Sequence, residues 1–415
     1  MEEERFFLMK KWRRQVRALD SPSAFSFFLI VSSVLGFPAR GVGMLNPVDF
    51  LALQSVRKAL DDTPGSRFFA SWDFTADPCR FSGVFCAGDR VVALSLGDPR
   101  AGSPGLSGSL HPAVGRLSAL AELSIVPGRV VGPLPSTLAG LANLRFLAIS
   151  RNFLSGAIPP GIAALRQLRT VDLSFNQLSG AIPPGLAGLP ALANVILCHN
   201  RFSGGVPLFY SPFLARLDLS HNDLSSGVAV LPPSLQYLSL SWNRLTGSVD
   251  RVLPRLVRLN YLDLSLNRFT GPIPPGVFSL PLATLQLQRN QFSGPLRPAT
   301  EVAIPAVDVS YNQFSGEVSP LFAPARRLYM NNNRFTGRVP ATLVARLLEG
   351  AIEVLYLQHN YLTGVQIDPA AGIPRGSSLC LQYNCMVSPP VQMACPLKAG
   401  REKSRPSAQC TGRRG

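Results

Sequence analysis

From Leu144 onward, apolar residues recur in a fixed local order, best seen in residues 168–190, LRTVDLSFNQLSGAIPPGLAGLP. Leu168, Val171, Leu173 and Leu178 alternate with polar positions, which predicts a short strand and a turn that both point inward. The same order returns every 21–27 residues, and an asparagine marks each return: Asn152, Asn176, Asn200, Asn222, Asn243, Asn267, Asn290, Asn312, Asn333 and Asn360. One such coil cannot bury its apolar face alone, so the coils must stack and share a continuous core. The asparagines sit where the chain leaves the strand, and their amides can pair backbone groups that would otherwise be buried without partners. The pattern thus predicts an α/β-type repeat solenoid, right-handed, with a concave parallel β-sheet, about eleven coils and an asparagine ladder along its length.

The repeats span 91–366, preceded by a cap at 44–90 and followed by a Cys-rich cap and basic tail at 367–415. Near the start the order is irregular: VVALSLGD at 91–98 is interrupted by a Gly- and Pro-rich stretch, and Gly128 stands in an asparagine slot. The cap opens with Phe50, Leu53, Val56 and Leu60 at helical spacing, an amphipathic helix. Ahead of it, residues 1–43 carry a basic cluster (Lys10, Lys11, Arg13, Arg14, Arg17) and a 14-residue apolar run, Ala24 to Phe37. That run has the length of a signal-peptide core, with cleavage expected after Gly43, and an uncleaved signal anchor is the alternative. A membrane partner is expected only in the second case.

Six of the seven cysteines flank the repeats: Cys79 and Cys86 before them, and Cys380, Cys385, Cys395 and Cys410 after. None has zinc-finger spacing, so they read as disulfide staples of an oxidising compartment, with three pairings open for the last four. Cys198 fills a slot that Ser174, Ser220, Ser241 and Ser265 hold in other coils, and is expected to be a buried free thiol.

The net charge of +16 comes from 35 Arg and 5 Lys against 24 acidic residues. It favours anionic surroundings, and arginine suits bidentate recognition of carboxylates. The arginines form no basic-aromatic motif, so no nucleic acid is expected. The last basic residues, Lys398, Arg401, Lys403, Arg405, Arg413 and Arg414, read as a solvated tail.

The cap residues DFLALQSVRKAL, Ser71–Trp72 and DPCRFSGVFC at 77–86 resemble the N-terminal cap of plant leucine-rich repeat proteins, with Phe81 where family members carry Trp. The resemblance implies one disulfide, Cys79–Cys86, and places Trp72 and Phe81 in the cap core. LSGAIP at 154–159 and 178–183, FSGGVP at 202–207, FTGPIP at 269–274 and FTGRVP at 335–340 are similar to the repeat tail of the plant extracellular class. That class has a second short strand in each coil. The tail is incomplete around 225–254 and 294–325, so the second sheet is expected to break there. No second apolar span follows the first, so the membrane anchor and kinase of the family's receptor kinases are not expected.

No nucleophile elbow, phosphate loop or zinc motif is present, so neither an enzyme nor a cofactor is expected. His199 and His221 share one slot in adjacent coils, as a metal pair would, but that slot varies freely along the array. Variation is the functional hint, because repeat proteins vary outward strand slots on a constant scaffold. In the middle coils these slots bring Arg216, Asp218, Tyr237, Trp242, Tyr261 and Asp263 close together, an interface-like composition. The plainer account makes Asp172, Asp218, Asp263 and Asp308 solvated strand residues.

The expected function is a secreted, non-enzymatic recognition protein of the plant cell surface or wall, receptor-like but without a kinase. Its partner would be a protein or peptide ligand, or an acidic cell-wall polysaccharide. One alternative is inhibition of a secreted cell-wall-degrading enzyme, since the chain resembles polygalacturonase inhibitors, although those typically carry four cysteines in the cap that here has two. The other is a structural wall protein held on acidic pectin.

Overall fold

The computed structural model describes residues 44–97, 105–125, 127–368, 371–386, 395–396 and 404–410. The leader at 1–43 lies outside them, as do Lys398, Arg401, Lys403, Arg413 and Arg414. Leu45–Cys86 with Arg90–Gly415 forms one compact unit, and the other unit, Met1–Met44 with Ala87–Asp89, falls almost wholly outside the described residues.

Each coil contributes one strand, three residues long from Phe146–Ala148 onward, to a long parallel sheet that lines the concave side and ends at Ser378–Cys380. The register is maintained from coil to coil: Phe146, Thr170, Asn194, Arg216, Tyr237 and Tyr261 stand side by side. The central residue of each strand (Leu147, Val171, Val195, Leu217, Leu238, Leu262) is buried, so its two neighbours face outward. After the asparagine, a second strand joins a twelve-stranded sheet running from Leu60–Asp62 to Arg334–Thr336. The opposite side is built from short helical turns such as Pro160–Ala164, with a longer helix at Ala341–Leu348.

The second sheet is continuous, against the expected breaks. Asp223–Ser226, Arg244–Ser248, Gln291–Pro295 and Gln313–Glu317 all pair in it. The tail sequence is not what holds these strands. Each donates a backbone N–H to the asparagine of the next coil: Leu224 N–H to Asn243 Oδ1 at 3.0 Å and Phe292 N–H to Asn312 Oδ1 at 3.1 Å. Ser226 even adopts φ +73°, where neighbouring coils have Gly204 (φ +78°) and Gly247 (φ +83°).

The asparagines form a hydrogen-bonded ladder. Asn267 Nδ2 donates to the carbonyls of Leu240, Leu264 and Ser265 at 2.8, 3.3 and 3.2 Å, while its Oδ1 accepts from Leu245 N–H at 3.0 Å. The ladder has one more rung than the sequence reading gave it. Asn384 donates to Leu357 and Leu381 carbonyls and accepts from Leu362 N–H, so a further coil occupies part of 367–415. At the other end, a Cβ added to Gly128 would lie 2.6 Å from the Leu106 carbonyl oxygen, which closes that slot to any side chain.

The N-terminal helix Pro47–Ala59 buries Ala52, Leu53 and Val56 together with one charge, Asp49. Asp49 is fully buried and accepts from Arg90 Nε (3.0 Å), Arg90 Nη2 (2.9 Å) and Val91 N–H (2.9 Å), which ties the cap to the first coil. Trp72 stacks on Phe81 at 5.4 Å and donates its indole N–H to Ser82 O. Cys79 is bonded to Cys86, Cys380 to Cys395, and Cys385 to Cys410. Cys198 is buried and unbonded. Arg405 is not a solvated tail residue: its guanidinium lies 4.1 Å from the Tyr361 ring centre and 4.5 Å from that of Tyr383, and Nε donates to Asn360 O.

Candidate ligand-binding face

The middle of the concave sheet carries a stack of three side chains in register. The Arg216 guanidinium sits 4.2 Å above the Tyr237 ring, and Tyr237 lies parallel to Tyr261 with ring centres 4.3 Å apart. Strand spacing of about 4.8 Å explains the stack, since planar groups at one register position in adjacent parallel strands can meet face to face. Tyr261 Oη accepts from Gln286 Nε2 at 3.3 Å, and Tyr237 Oη donates to Asp218 Oδ2 at 3.4 Å. Burial, followed by the nearby carboxylates, pushes both phenols well above the usual tyrosine range, so they remain neutral donors. Arg216 Nε is buried without a hydrogen-bond partner, while the side chain as a whole is partly exposed.

The acidic members of the face do not behave as solvated strand residues. Asp218 Oδ1 accepts from Ser220 N–H and Oγ–H at 3.2 and 2.8 Å, and Asp263 Oδ1 accepts from Ser265 N–H at 2.9 Å. Asp172 with Ser174, and Asp308 with Ser310, make the same pair of bonds. These serine bonds all go to Oδ1 and hold the turn out of the strand. The sequence carries the same rule: every outward Asp has Ser two residues on, and the coil with Ile196 has Cys198 there instead. Desolvation holds the Asp263 carboxyl above its ordinary range, partly opposed by the Ser265 bonds.

Trp242 belongs to a separate row. The residue before each ladder asparagine has positive φ, from Arg151 (+55°) to Tyr383 (+57°), because its N–H and that of the asparagine both donate to the next coil. That geometry stacks Arg151 on Phe175 (4.3 Å), Phe175 on His199 (4.1 Å), His199 on His221 (4.0 Å) and His221 on Trp242 (5.0 Å). Burial lowers the His199 pKa and brings that of His221 to about 3, the neighbouring His199 adding to the second effect. The two histidines are thus neutral stacking partners. Among the described residues, no group of three or more His, Cys, Asp or Glu side chains could hold a metal ion.

Toward the end of the sheet lies a second cluster that the sequence reading did not single out. Arg327 Nε bonds Glu353 Oε2 at 2.8 Å, Arg326 joins the same carboxylate, and Tyr329 meets Tyr356 edge-on at 5.6 Å. The Arg327 hydrogen bond holds the Glu353 carboxyl below its usual range. Glu353 precedes its strand rather than occupying an outward slot, so slot reading alone could not pair it with the preceding coil.

Family models match the chain as leucine rich repeat N-terminal domain at residues 46–87, and as Leucine Rich Repeat at 167–189, 234–256 and 258–280. The chain is 31% identical over 119 residues to the LRR receptor-like serine/threonine-protein kinase GSO2 of Arabidopsis thaliana, a match covering 28% of this chain and 9% of the kinase. It is 34% identical over 126 residues to Polygalacturonase inhibitor 1 of Oryza sativa subsp. japonica, covering 29% of this chain and 35% of that protein. Among solved structures, the plant peptide hormone receptor RGFR1 in complex with RGF2 superposes with a TM-score of 0.59 at 26% identity, over 69% of this chain and 51% of that one. The matched stretches are thus a minor part of both curated relatives.

Proposed function

We propose that the chain is a leucine-rich repeat protein of the plant extracellular type, and a non-catalytic recognition protein that binds a protein or peptide on its concave sheet. The observation that carries the reading is the Arg216–Tyr237–Tyr261 stack. Arginine and tyrosine dominate interface hot spots, and here their planes are held in place before any ligand arrives. Preorganisation lowers the ordering cost of association, which favours the middle of the sheet as the anchor point. Trp242, His221 and Phe175 form the rim of the same face, and Arg326, Arg327, Glu353, Tyr329 and Tyr356 offer a second anchor. The similarity to a hormone-receptor ectodomain and to an enzyme inhibitor supports a peptide or a protein as the partner. Disulfide-bonded ends and the leader expected at 1–43 support an extracellular location. Among the described residues, no helix is long and apolar enough to cross a membrane.

The test is a comparison of the wild-type protein with the Tyr237→Ala/Tyr261→Ala double variant, both immobilised and exposed to apoplastic fluid. A partner retained by the first and lost by the second supports the proposal, and equal retention removes it. Purified polygalacturonases assayed with and without the protein separate the inhibitor reading: undiminished pectin cleavage excludes it and leaves the receptor-like reading in place.

A further inference from the structure

The outer face of the twelve-stranded sheet carries a pattern that the concave site does not use. In each second strand the middle residue is buried (Val130, Leu154, Leu178, Phe202, Leu224, Leu245, Phe269, Phe292, Phe314, Phe335), so the residues on either side face outward. Five of the first outward positions are exposed arginines: Arg129, Arg201, Arg244, Arg268 and Arg334. In the sheet register each stands directly opposite a hydroxyl residue of the preceding coil. The pairs are Ser107 with Arg129, Ser179 with Arg201, Ser225 with Arg244, Thr246 with Arg268, and Ser315 with Arg334. Only Arg244 has a carboxylate partner, Asp223 at 2.8 Å; the other four make no ion pair among the described residues.

We propose that this face is a docking surface for an acidic polysaccharide, a chain of uronate units lying along the solenoid axis. A guanidinium beside a hydroxyl presents a fork for a carboxylate and a partner for a sugar hydroxyl. The unit recurs on five of the ten strands from Arg129 to Arg334, one to three strand steps apart, so one extended polymer meets several copies at once. Charge density argues for a polyuronate over a nucleic acid. From Arg129 to Arg334 the row crosses nine strand steps, about 43 Å, so successive arginines are on average roughly 11 Å apart. Duplex DNA carries a charge about every 1.7 Å, and single strands are gripped by stacking aromatics. Ser and Thr hydroxyls stand beside these arginines, and from Arg129 to Arg334 the slot holds one aromatic residue, Phe153, so no run of stacking aromatics forms. The concave face differs in sign, with Asp172, Asp218, Asp263 and Asp308 against Arg216 and Arg327, so a polyanion has reason to choose the outer sheet.

The experiment measures binding of unesterified polygalacturonate, with fully methyl-esterified polymer and a single-stranded oligodeoxynucleotide as comparison probes. Arg201→Gln/Arg268→Gln/Arg334→Gln uses the residue that already fills this slot at Gln177, Gln291 and Gln313, so the fold should survive. A control triple, Arg116→Gln/Arg166→Gln/Arg255→Gln, removes the same charge from the helical-turn side. Expected are a loss of tenfold or more in polygalacturonate affinity for the first triple, a change within twofold for the control, and no binding of the esterified polymer. Equal losses in the two triples, undiminished binding of the esterified polymer, or tighter capture of the oligonucleotide through the same arginines would each overturn the proposal. Circular dichroism of both triples at equal concentration checks that any loss reflects the surface and not unfolding.

Discussion

Replacing His221 by phenylalanine should make the solenoid resist acid. His221 stacks between His199 and Trp242, and burial lowers its pKa from 6.5 to about 3. For a base with a depressed pKa, the folded chain disfavours the protonated form. Its contribution to stability is therefore complete above pH 6.5 and is lost as pH falls from 6.5 toward 3. At 1.36 kcal/mol per pKa unit, the loss accumulated by pH 5 is about 2 kcal/mol, and solvent screening of the half-buried ring trims it toward about 1–2 kcal/mol. Phenylalanine already occupies the same slot at Phe175 with φ +54° and stacks on His199 there, so the exchange preserves backbone and packing.

Urea unfolding at pH 7.5 and pH 5.0 isolates the effect, because every other titrating group is common to both proteins. Wild type should lose about 1–2 kcal/mol more than His221→Phe between the two conditions, with the two proteins close at pH 7.5. His199, lowered in the same direction, leaves a residual slope in the variant. Identical pH dependence would refute the stack as the place where acid enters the fold.

Three further outcomes follow from the coil geometry. Ser226→Gly should raise stability by about 0.5–1 kcal/mol in thermal melts, since it removes a left-handed serine at the cost of a freer unfolded chain. Asn267→Ala should lower stability by about 2–4 kcal/mol in urea unfolding, because it strands the buried Leu245 N–H and Leu240 carbonyl that the amide pairs. Asp49→Ala should cost about 3–5 kcal/mol by the same measurement, leaving the Arg90 guanidinium two-thirds buried without its carboxylate and untying the cap from the first coil.

The scaffold was legible because its chemistry repeats. An apolar residue and an asparagine at a fixed period leave one economical solution, and the ladder bonds repeat the same distances in coil after coil. Asn384 was legible too, 24 residues after Asn360 in Leu379–Leu381–Asn384, but Gly- and Pro-rich chain between them obscured the period. Asp49 with Arg90 and Arg405 with Tyr361 and Tyr383 were not legible, since each pairs residues 22 to 44 positions apart at the ends, where the repeat rule lapses.

The candidate face was half legible, and the missing half follows from what a slot list omits. Slots gave the neighbours Arg216, Tyr237 and Tyr261, because register alone determines contacts between adjacent strands. They could not reveal that Asp218 and Asp263 each bond the serine two residues on, nor that positive φ turns Trp242 into a row of its own. The effect on function is a division of labour. The concave sheet, with its acids bonded to the turns, offers flat aromatic and guanidinium surfaces suited to a peptide backbone and its side chains. Among the described residues, Arg129, Arg201, Arg268 and Arg334 of the outer sheet make no ion pair, and their charge is one part of the +16 excess open to a partner.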